Sequence, residues 1–381
     1  MPKKKVLIFI DWFTPGFRAG GPITSCVNLV DHLKDEIDFS VITSDTDYME
    51  TAPYPGIASD QWITRADGVR VYYFSKANLT RAAMKRLIER EKFDYAYLNG
   101  MFSRNFTLMP LKVLKKMGKG RLVLAVRGML APSALRIKAA KKQFFLSYAK
   151  LSGLYKGVLF QATNQQELSD IFAVFGKTAD VKIAFNLPER SVRAPYLKRD
   201  KQPGRLNLVN IARIAPEKNL LYALEVLQKV KADINFDFYG PVYDEGYWKQ
   251  CQEQLARLPG NIKAAYRGIL QPGRVAEVLA GYHYMFMPTR GENFGHVILQ
   301  SWSAGTPVII SDQTPWPDLQ RMGCGYGLPL NDPLGFAEAI EECAGLDQLG
   351  FDDRSRSAYD YVTSRDQELE KLKDGTRQLF S

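Results

Sequence analysis

The chain has 381 residues, 46% of them hydrophobic and 24% charged, with a formal net charge of +10. This length and balance predict two globular domains, and they exclude a disordered tail protein or a collagen-like repeat. No apolar run approaches the length of a spanning helix; Val6–Ile10 ends at Asp11 and reads as a first buried strand, not a leader. Four cysteines (Cys26, Cys251, Cys324, Cys343) show no Cys-x-x-Cys spacing, which suits a reducing compartment. His32, His283 and His296 are widely separated, so no metal site is expected.

The elements alternate in chain order. Strands are predicted at Val6–Ile10, Phe39–Thr43, Val69–Phe74, Tyr95–Leu98, Leu122–Val126, Val158–Ala162 and Lys182–Phe185. Helices are expected between them over Pro22–Leu33, Leu79–Glu91, Thr107–Met117, Leu135–Leu151 and from Thr163 or Asn164 through Ala173. A polar, proline-spaced stretch from Pro188 to Gly204 reads as a linker. A second series follows, with strands at Leu206–Ile211, Ile234–Tyr239, Ile262–Tyr266, Tyr284–Met287 and Pro307–Ile310. Its helices are expected over Glu217–Val230, Tyr247–Ala256, Pro272–Leu279, Val297–Ala304 and Pro333–Cys343, before a charged tail. Alternation of this kind predicts two α/β domains with parallel sheets, whose ligands bind at the C-terminal edges of the strands.

Charge is distributed unevenly. Residues 1–200 carry 32 Lys and Arg against 18 Asp and Glu; residues 201–381 carry 19 against 23. Residues 101–150 hold twelve basic side chains and no acid. That run reads either as a solubilising surface or as a face for an anionic membrane or lipid-phosphate acceptor; no nucleic-acid module accompanies it. Arg136, Lys138, Lys141 and Lys142, followed by Phe144, Phe145, Leu146 and Tyr148, have the mixture found on interfacial helices and also on helices with aromatics in a core.

Two segments carry the chemistry. The run Glu292-Asn293-Phe294-Gly295-His296…Gln300…Gly305-Thr-Pro307 follows a strand and opens a helix near Gly295. The unpaired N–H groups of such a first turn cradle phosphate, and a carboxylate just before it can accept bonds from sugar hydroxyls. In the other, Arg213 and Lys218 follow the first strand of the second domain, where two cations can hold a diphosphate.

These segments resemble the signature of the retaining glycosyltransferases of family 4. That resemblance implies the GT-B fold, two Rossmann-like α/β domains facing each other across a deep cleft. It implies an acceptor domain over 1–187, a linker over 188–204, a donor domain over 205–355, and a helical tail over 356–381 that packs back on the first domain. Glu292 would contact the donor sugar, and Gln300 stands where the second Glu of a Glu-x7-Glu motif holds the nucleotide ribose. Asn293, Phe294, Gly295, His296, Gly240 and Arg267 would complete the donor site, with Arg213 and Lys218 as the diphosphate clamp. Gly20-Gly21 resembles the glycine-rich loop after the first strand, and Asn99, Ser103, Arg127 and Gly128 would meet the acceptor. Arg127 replaces a common histidine; it cannot act as a base at neutral pH but can hold an anion. Asn186-Leu187 replaces a common Asn-Gly, a change that affects a turn.

The implied activity is transfer of a sugar from a nucleotide diphosphate-sugar to a saccharide or polyprenyl-linked saccharide, with no metal and no other cofactor. The implied place is the cytoplasm or the cytoplasmic face of the inner membrane. Two other readings use the same fold: a non-catalytic nucleotide-sugar or lipid binding protein, and a nucleotide-sugar 2-epimerase. Asp45-Thr-Asp47 has the spacing of a metal-binding carboxylate pair but reads as a surface turn.

Overall fold

The computed structural model describes residues 2–136, 139–190, 196–365 and 368–381, and Lys138 lies outside them. The chain forms two units, Met1–Arg190 with Leu369–Ser381, and Ser191–Glu368. Among the described residues no helix is long and apolar enough to cross a membrane.

The first unit is built on β1 (Lys4–Phe9), β2 (Ile37–Ser44), β3 (Trp62–Thr64), β4 (Arg70–Phe74), β5 (Tyr95–Asn99), β6 (Arg121–Ala125), β7 (Val158–Ala162) and β8 (Val181–Ile183). They lie in the order β3-β4-β2-β1-β5-β6-β7-β8, parallel except where β3 runs against β4. Val6 to Phe9 and all of β5 are buried, the signature of strands covered on both faces. The strand order reverses at β1, which lies between β2 and β5. At such a switch point the loops leaving the two strands diverge and open a crevice at their C-terminal ends. Asp11, Asn99 and Arg127 stand at that edge.

The second unit is built on β9 (Arg205–Ile211), β10 (Asp233–Tyr239), β11 (Ile262–Tyr266), β12 (Tyr284–Met287), β13 (Val308–Ser311) and β14 (Gly325–Leu328). The order is β11-β10-β9-β12-β13-β14, all parallel, and the switch point lies between β9 and β12. The loops that carry Arg213, Lys218 and Glu292 follow these two strands.

Two boundaries differ from the sequence expectation. The stretch read as a linker is bound to the second unit from residue 196 onward. Arg199 donates to the carbonyls of Tyr282 (3.0 Å) and Gly305 and to the hydroxyls of Thr306 (2.6 Å) and Ser355 (2.5 Å). Lys201 caps the end of the helix Pro333–Gly345, its ammonium 2.8 Å from the carbonyls of Ala344 and Leu346. The tail expected from residue 356 begins inside a helix of the second unit, Gln348–Arg365, which buries Phe351, Ser355, Ala358 and Val362. Their spacing of four, three and four is a helical face hidden among charges. Leu369–Arg377 does lie in the first unit, where Arg377 pairs with Glu36 at 2.7 Å and Phe380 meets Tyr95 and Tyr97.

His283 joins β12 to this framework. Its Nδ1 accepts from the Asn207 N–H at 2.9 Å, so Nε2 carries the proton toward the Asp200 carbonyl at 2.9 Å. Burial lowers its pKa from 6.5 to about 4. A protonated ring could not accept from Asn207, so below the unfolded value the unfolded chain binds a proton that the folded one refuses. Stability is therefore complete above pH 6.5 and declines as the pH falls toward 4. The loss is expected to reach about 3 kcal/mol. Denaturant titrations at stepped pH should show a shallower slope for His283→Gln in that window, and equal slopes would contradict the assignment.

Candidate active site

In the second unit, two loops are stitched together at the C-terminal edge of the sheet. After β9 the chain turns through Arg213 and the single 3-10 turn Pro216–Lys218 to Asn219, which has φ +61°. The buried Asn219 amide donates to the Pro288 carbonyl at 3.0 Å and accepts from Arg290 Nε at 3.0 Å. The Glu217 carbonyl accepts from the Arg290 N–H (2.9 Å) and the Thr289 hydroxyl (3.0 Å). Lys218 and Glu292 meet as an ion pair across the same seam, with side chains 17% and 14% exposed. That low exposure protects the pair from solvent screening, unlike surface ion pairs.

The expected clamp cations are thus paired with carboxylates: Lys218 with Glu292, and Arg213 with Glu217 at 3.4 Å. Neither is exhausted by its partner. An ammonium carries three donors and a guanidinium five, so most N–H groups remain for phosphate oxygens. Arg213 also lies over the Tyr243 ring, 5.1 Å from its centroid, which fixes the plane of its fork.

Glu292 is held by its own N–H, which donates to the Gln313 carbonyl at 2.9 Å. Gly295 caps the helix His296–Ser303 at φ +78°, and a Cβ there would lie 2.7 Å from the Ile298 side chain. Both facts require glycine. The Phe294 carbonyl accepts from Trp316 Nε1 at 2.6 Å, and the Phe294 ring lies 4.6 Å from that of His296. Asn293, His296 and Gln300 are half-buried on this loop and helix.

Gly240 and Arg267 lie on the loops that follow β10 and β11. A Cβ on Gly240 would overlap the Ala212 carbonyl, so this glycine lets the loops after β9 and β10 approach. Its N–H donates to the Gly268 carbonyl at 2.9 Å. Arg267 turns to Asp237, 2.9 Å away, beside a cavity of about 610 Å³ lined by Asn235, Tyr239, Lys263 and Tyr282 among others. Neither Lys218 nor Glu292 lines that cavity.

In the first unit a separate polar cluster surrounds Arg127, which has φ +58°. Its guanidinium donates to Asn99 Oδ1 (2.6 Å), to the Tyr97 hydroxyl (2.8 Å) and to Asn186 Oδ1. Gly128 N–H donates to Glu167 at 2.5 Å, and the other Glu167 oxygen accepts from Thr163 N–H and its hydroxyl, both at 2.6 Å. The Asn99 amide also donates to the Pro22 carbonyl at 3.3 Å, and the Ser103 hydroxyl donates to Asp11 at 2.7 Å. Asn99 and Ser103, expected to meet an acceptor, are thus engaged inside the unit, where they hold Arg127 and Asp11.

Several of these groups were not legible as site residues. Asp11, Tyr97 and Glu167 carry no motif, and Arg290 and Asn219 lie within the two chemistry-bearing segments with no role assigned to them; only the position of Asp11 directly after a buried strand points to a sheet edge. Burial raises the Asp11 carboxyl above its ordinary range, against the opposing bond from Ser103. Asn186 does more than change a turn, since it receives Arg127, while the Leu187 carbonyl accepts from Asn28 at 2.8 Å.

The reading of Asp45 and Asp47 as a surface turn is corrected: both are buried. Asp45 accepts from Ser59 at 2.7 Å, and Asp47 accepts the N–H groups of Phe17 (2.9 Å) and Arg18 (3.2 Å). Asp47 thereby shapes the loop that ends in Gly20-Gly21. Gly20 has φ +69° and precedes the helix Gly21–Leu33, and a Cβ built on either glycine meets nothing within 4 Å.

Residues 205–345 match the family model described as Glycosyl transferases group 1. That segment contains Arg213, Lys218, Glu292, Gly295 and Gln300. The chain has the GT-B fold. It superposes on HepE of Anabaena, solved in complex with UDP and glucose, with a TM-score of 0.69 and 13% identity over 98% of this chain and 100% of that one. Sucrose-phosphate synthase of Thermosynechococcus elongatus gives 0.71 and 14% identity over 100% and 99%. The sulfoquinovosyl transferase SQD2 of Arabidopsis thaliana is 27% identical over 137 residues, 36% of this chain. The match spans 25% of that relative's own length.

Proposed function

We propose that this chain is a retaining glycosyltransferase of the family 4 type. It moves a sugar from a nucleotide diphosphate-sugar held on the second unit to a lipid-linked saccharide held on the first, at the cytoplasmic face of the inner membrane. The observation that carries the reading is the stitched seam in which Lys218 and Glu292 are paired beside Arg213 and Arg290. A diphosphate and a sugar ring joined by one bond need cations and a hydroxyl-accepting carboxylate side by side, and this seam supplies both. The UDP and glucose held by Anabaena HepE support the same class of donor.

Departure of the diphosphate builds negative charge, which Lys218, Arg213 and the helix opening at Gly295 stabilise as preorganised donors. As the bond from the anomeric carbon to the departing phosphate oxygen breaks, the acceptor's hydroxyl oxygen bonds that carbon and its proton passes to the phosphate oxygen, so one face serves both events. Glu292 orients the sugar hydroxyls, and Gln300 serves the ribose by accepting one hydroxyl and donating to another. In the first unit, Arg127 has three neutral partners and no carboxylate among the described residues, which suits it to an anionic group of the acceptor or donor.

The positive charge that a metal would supply is furnished here by side chains, so turnover is expected to survive dialysis against EDTA. A panel of nucleotide-sugars incubated with the EDTA-treated protein and followed by mass spectrometry tests this. Release of a nucleoside diphosphate from at least one donor is expected. Activity lost to EDTA and regained only with magnesium or manganese would overturn metal independence; inertness toward every donor would overturn the reading.

A further inference from the structure

The helix Ala139–Leu151 has two apolar faces. Leu146 and Ala149 are buried in the first unit, and Phe145 packs on Phe102 with ring centroids 5.5 Å apart. The opposite side carries Phe144, Tyr148 and Leu151, which are 79%, 49% and 90% exposed. Positions 144, 148 and 151 are spaced by four and three, so they form one stripe along the helix. The first face fully accounts for how the helix is held, and the second gains nothing from water.

Charge surrounds the stripe. Lys141 and Lys150 on the same helix are exposed, as is Arg136 at the end of the helix before it. Part of the basic run has an internal use. Lys115 caps the carbonyls of Gly153, Leu154 and Lys156, and Lys119 those of Ile88, Glu89 and Glu91. Arg104, Lys112, Lys116, Arg136, Lys141 and Lys150 remain exposed in a segment without one acidic residue.

We propose that this face docks on an anionic lipid bilayer, with Phe144, Tyr148 and Leu151 entering the boundary between headgroups and acyl chains. The lysines would then lie at the level of the lipid phosphates, their stems beside the apolar stripe. A second copy of the chain fits poorly, because a two-fold contact through the stripe would set Lys141 and Lys150 against like charges. A protein partner fits less well too, since lysine is depleted at the centres of protein interfaces. The inference deepens the reading of a lipid-linked acceptor, yet the docking itself requires no sugar transfer.

Sedimentation of the full chain with vesicles tests it, using phosphatidylcholine alone and phosphatidylcholine mixed with phosphatidylglycerol, at low and high salt. Wild type is expected to pellet with the anionic vesicles. Removing Phe144 and Leu151 together as F144S/L151S should weaken partitioning by roughly tenfold or more, since both lose their burial in the lipid. K141E/K150E should weaken binding to anionic vesicles by about tenfold at low salt and abolish the salt dependence. The indole of a Phe144→Trp variant should shift to the blue and be quenched by brominated acyl chains. Melting curves and donor hydrolysis should be unchanged in all three variants, so failure of docking and failure of the glycosyltransferase reading give separate signals. Wild type that stays in the supernatant, binding that survives F144S/L151S, or a dimer that F144S/L151S dissolves would each overturn the proposal.

Discussion

Replacing Lys218 with methionine should lower the rate of sugar transfer by about 30- to 1000-fold, equivalent to about 2–4 kcal/mol of transition-state stabilisation. The ammonium is largely shielded beside Glu292, and Lys218 closes the 3-10 turn after β9, where developing phosphate charge would meet it. Methionine retains the stem and removes only the charge. Glu292→Gln should cost a comparable factor, because the carboxylate holds the ammonium and, on the proposed reading, would also hold the sugar. The double variant should lose far less than the product of the two single losses, since each single change leaves a buried charge without its partner. Steady-state rates with a saturating donor, read beside melting curves, check this. Wild-type rates in either single variant would end the assignment, and fully multiplicative losses would show that the pair does not act as a unit.

The largest effect on folding is expected at Arg199. Arg199→Met should destabilise the second unit by roughly 3–5 kcal/mol, since breaking a buried charged network leaves its partners unsatisfied. One guanidinium gathers the carbonyls of Tyr282 and Gly305 and the hydroxyls of Thr306 and Ser355, and lies over the Phe351 ring at 5.4 Å. It therefore ties the entering strand of chain, the β12 approach, the Gly305 turn and the helix Gln348–Arg365 to one point. Burial lowers its pKa from the ordinary arginine value, yet such a group stays protonated. Arg199→Lys should recover only part of the loss, because three donors cannot span the same acceptors in a plane. Denaturant unfolding of the full chain, followed by the tryptophans, would measure both. A midpoint unchanged in Arg199→Met would contradict the hub.

Much of the fold was visible in the chain because buried parallel strands read as short apolar runs, as in Val6–Ile10 and Tyr284–Met287. The strand β14 was not, since Gly325-Tyr-Gly-Leu328 looks like a turn. Gly325 nevertheless has φ +148°, and a side chain there would collide with the Val308 backbone of β13, so the glycine is what allows the strands to pair. The helix Gln348–Arg365 was hidden for the opposite reason. Its buried face is small and sparse, with Ser355 and Ala358 filling positions where larger apolar residues would have shown the period.

The proposed donor side of the site was legible because its residues cluster in two short segments whose chemistry suits phosphate and sugar. The partnerships among them were not. That Lys218 faces Glu292 depends on the packing of two loops 74 positions apart, fixed by Asn219 in a left-handed conformation. Spacing within either segment says nothing of it. Arg127 illustrates the same limit: its anchors come from two other places in the first unit, Tyr97 and Asn99 from β5 and Asn186 from the segment after β8. Asp45 and Asp47 mislead in sequence because a short carboxylate pair looks solvated, whereas both are spent on loop hydroxyl and N–H groups.

The most direct test of retaining transfer from a nucleotide diphosphate-sugar follows the first product by proton NMR. The EDTA-treated protein would be given an α-linked nucleotide-sugar, and the anomeric signal of the newly released or transferred sugar recorded before mutarotation. Entry of the acceptor on the face that the diphosphate leaves requires the α signal to rise first. A β signal rising first would contradict the proposed chemistry.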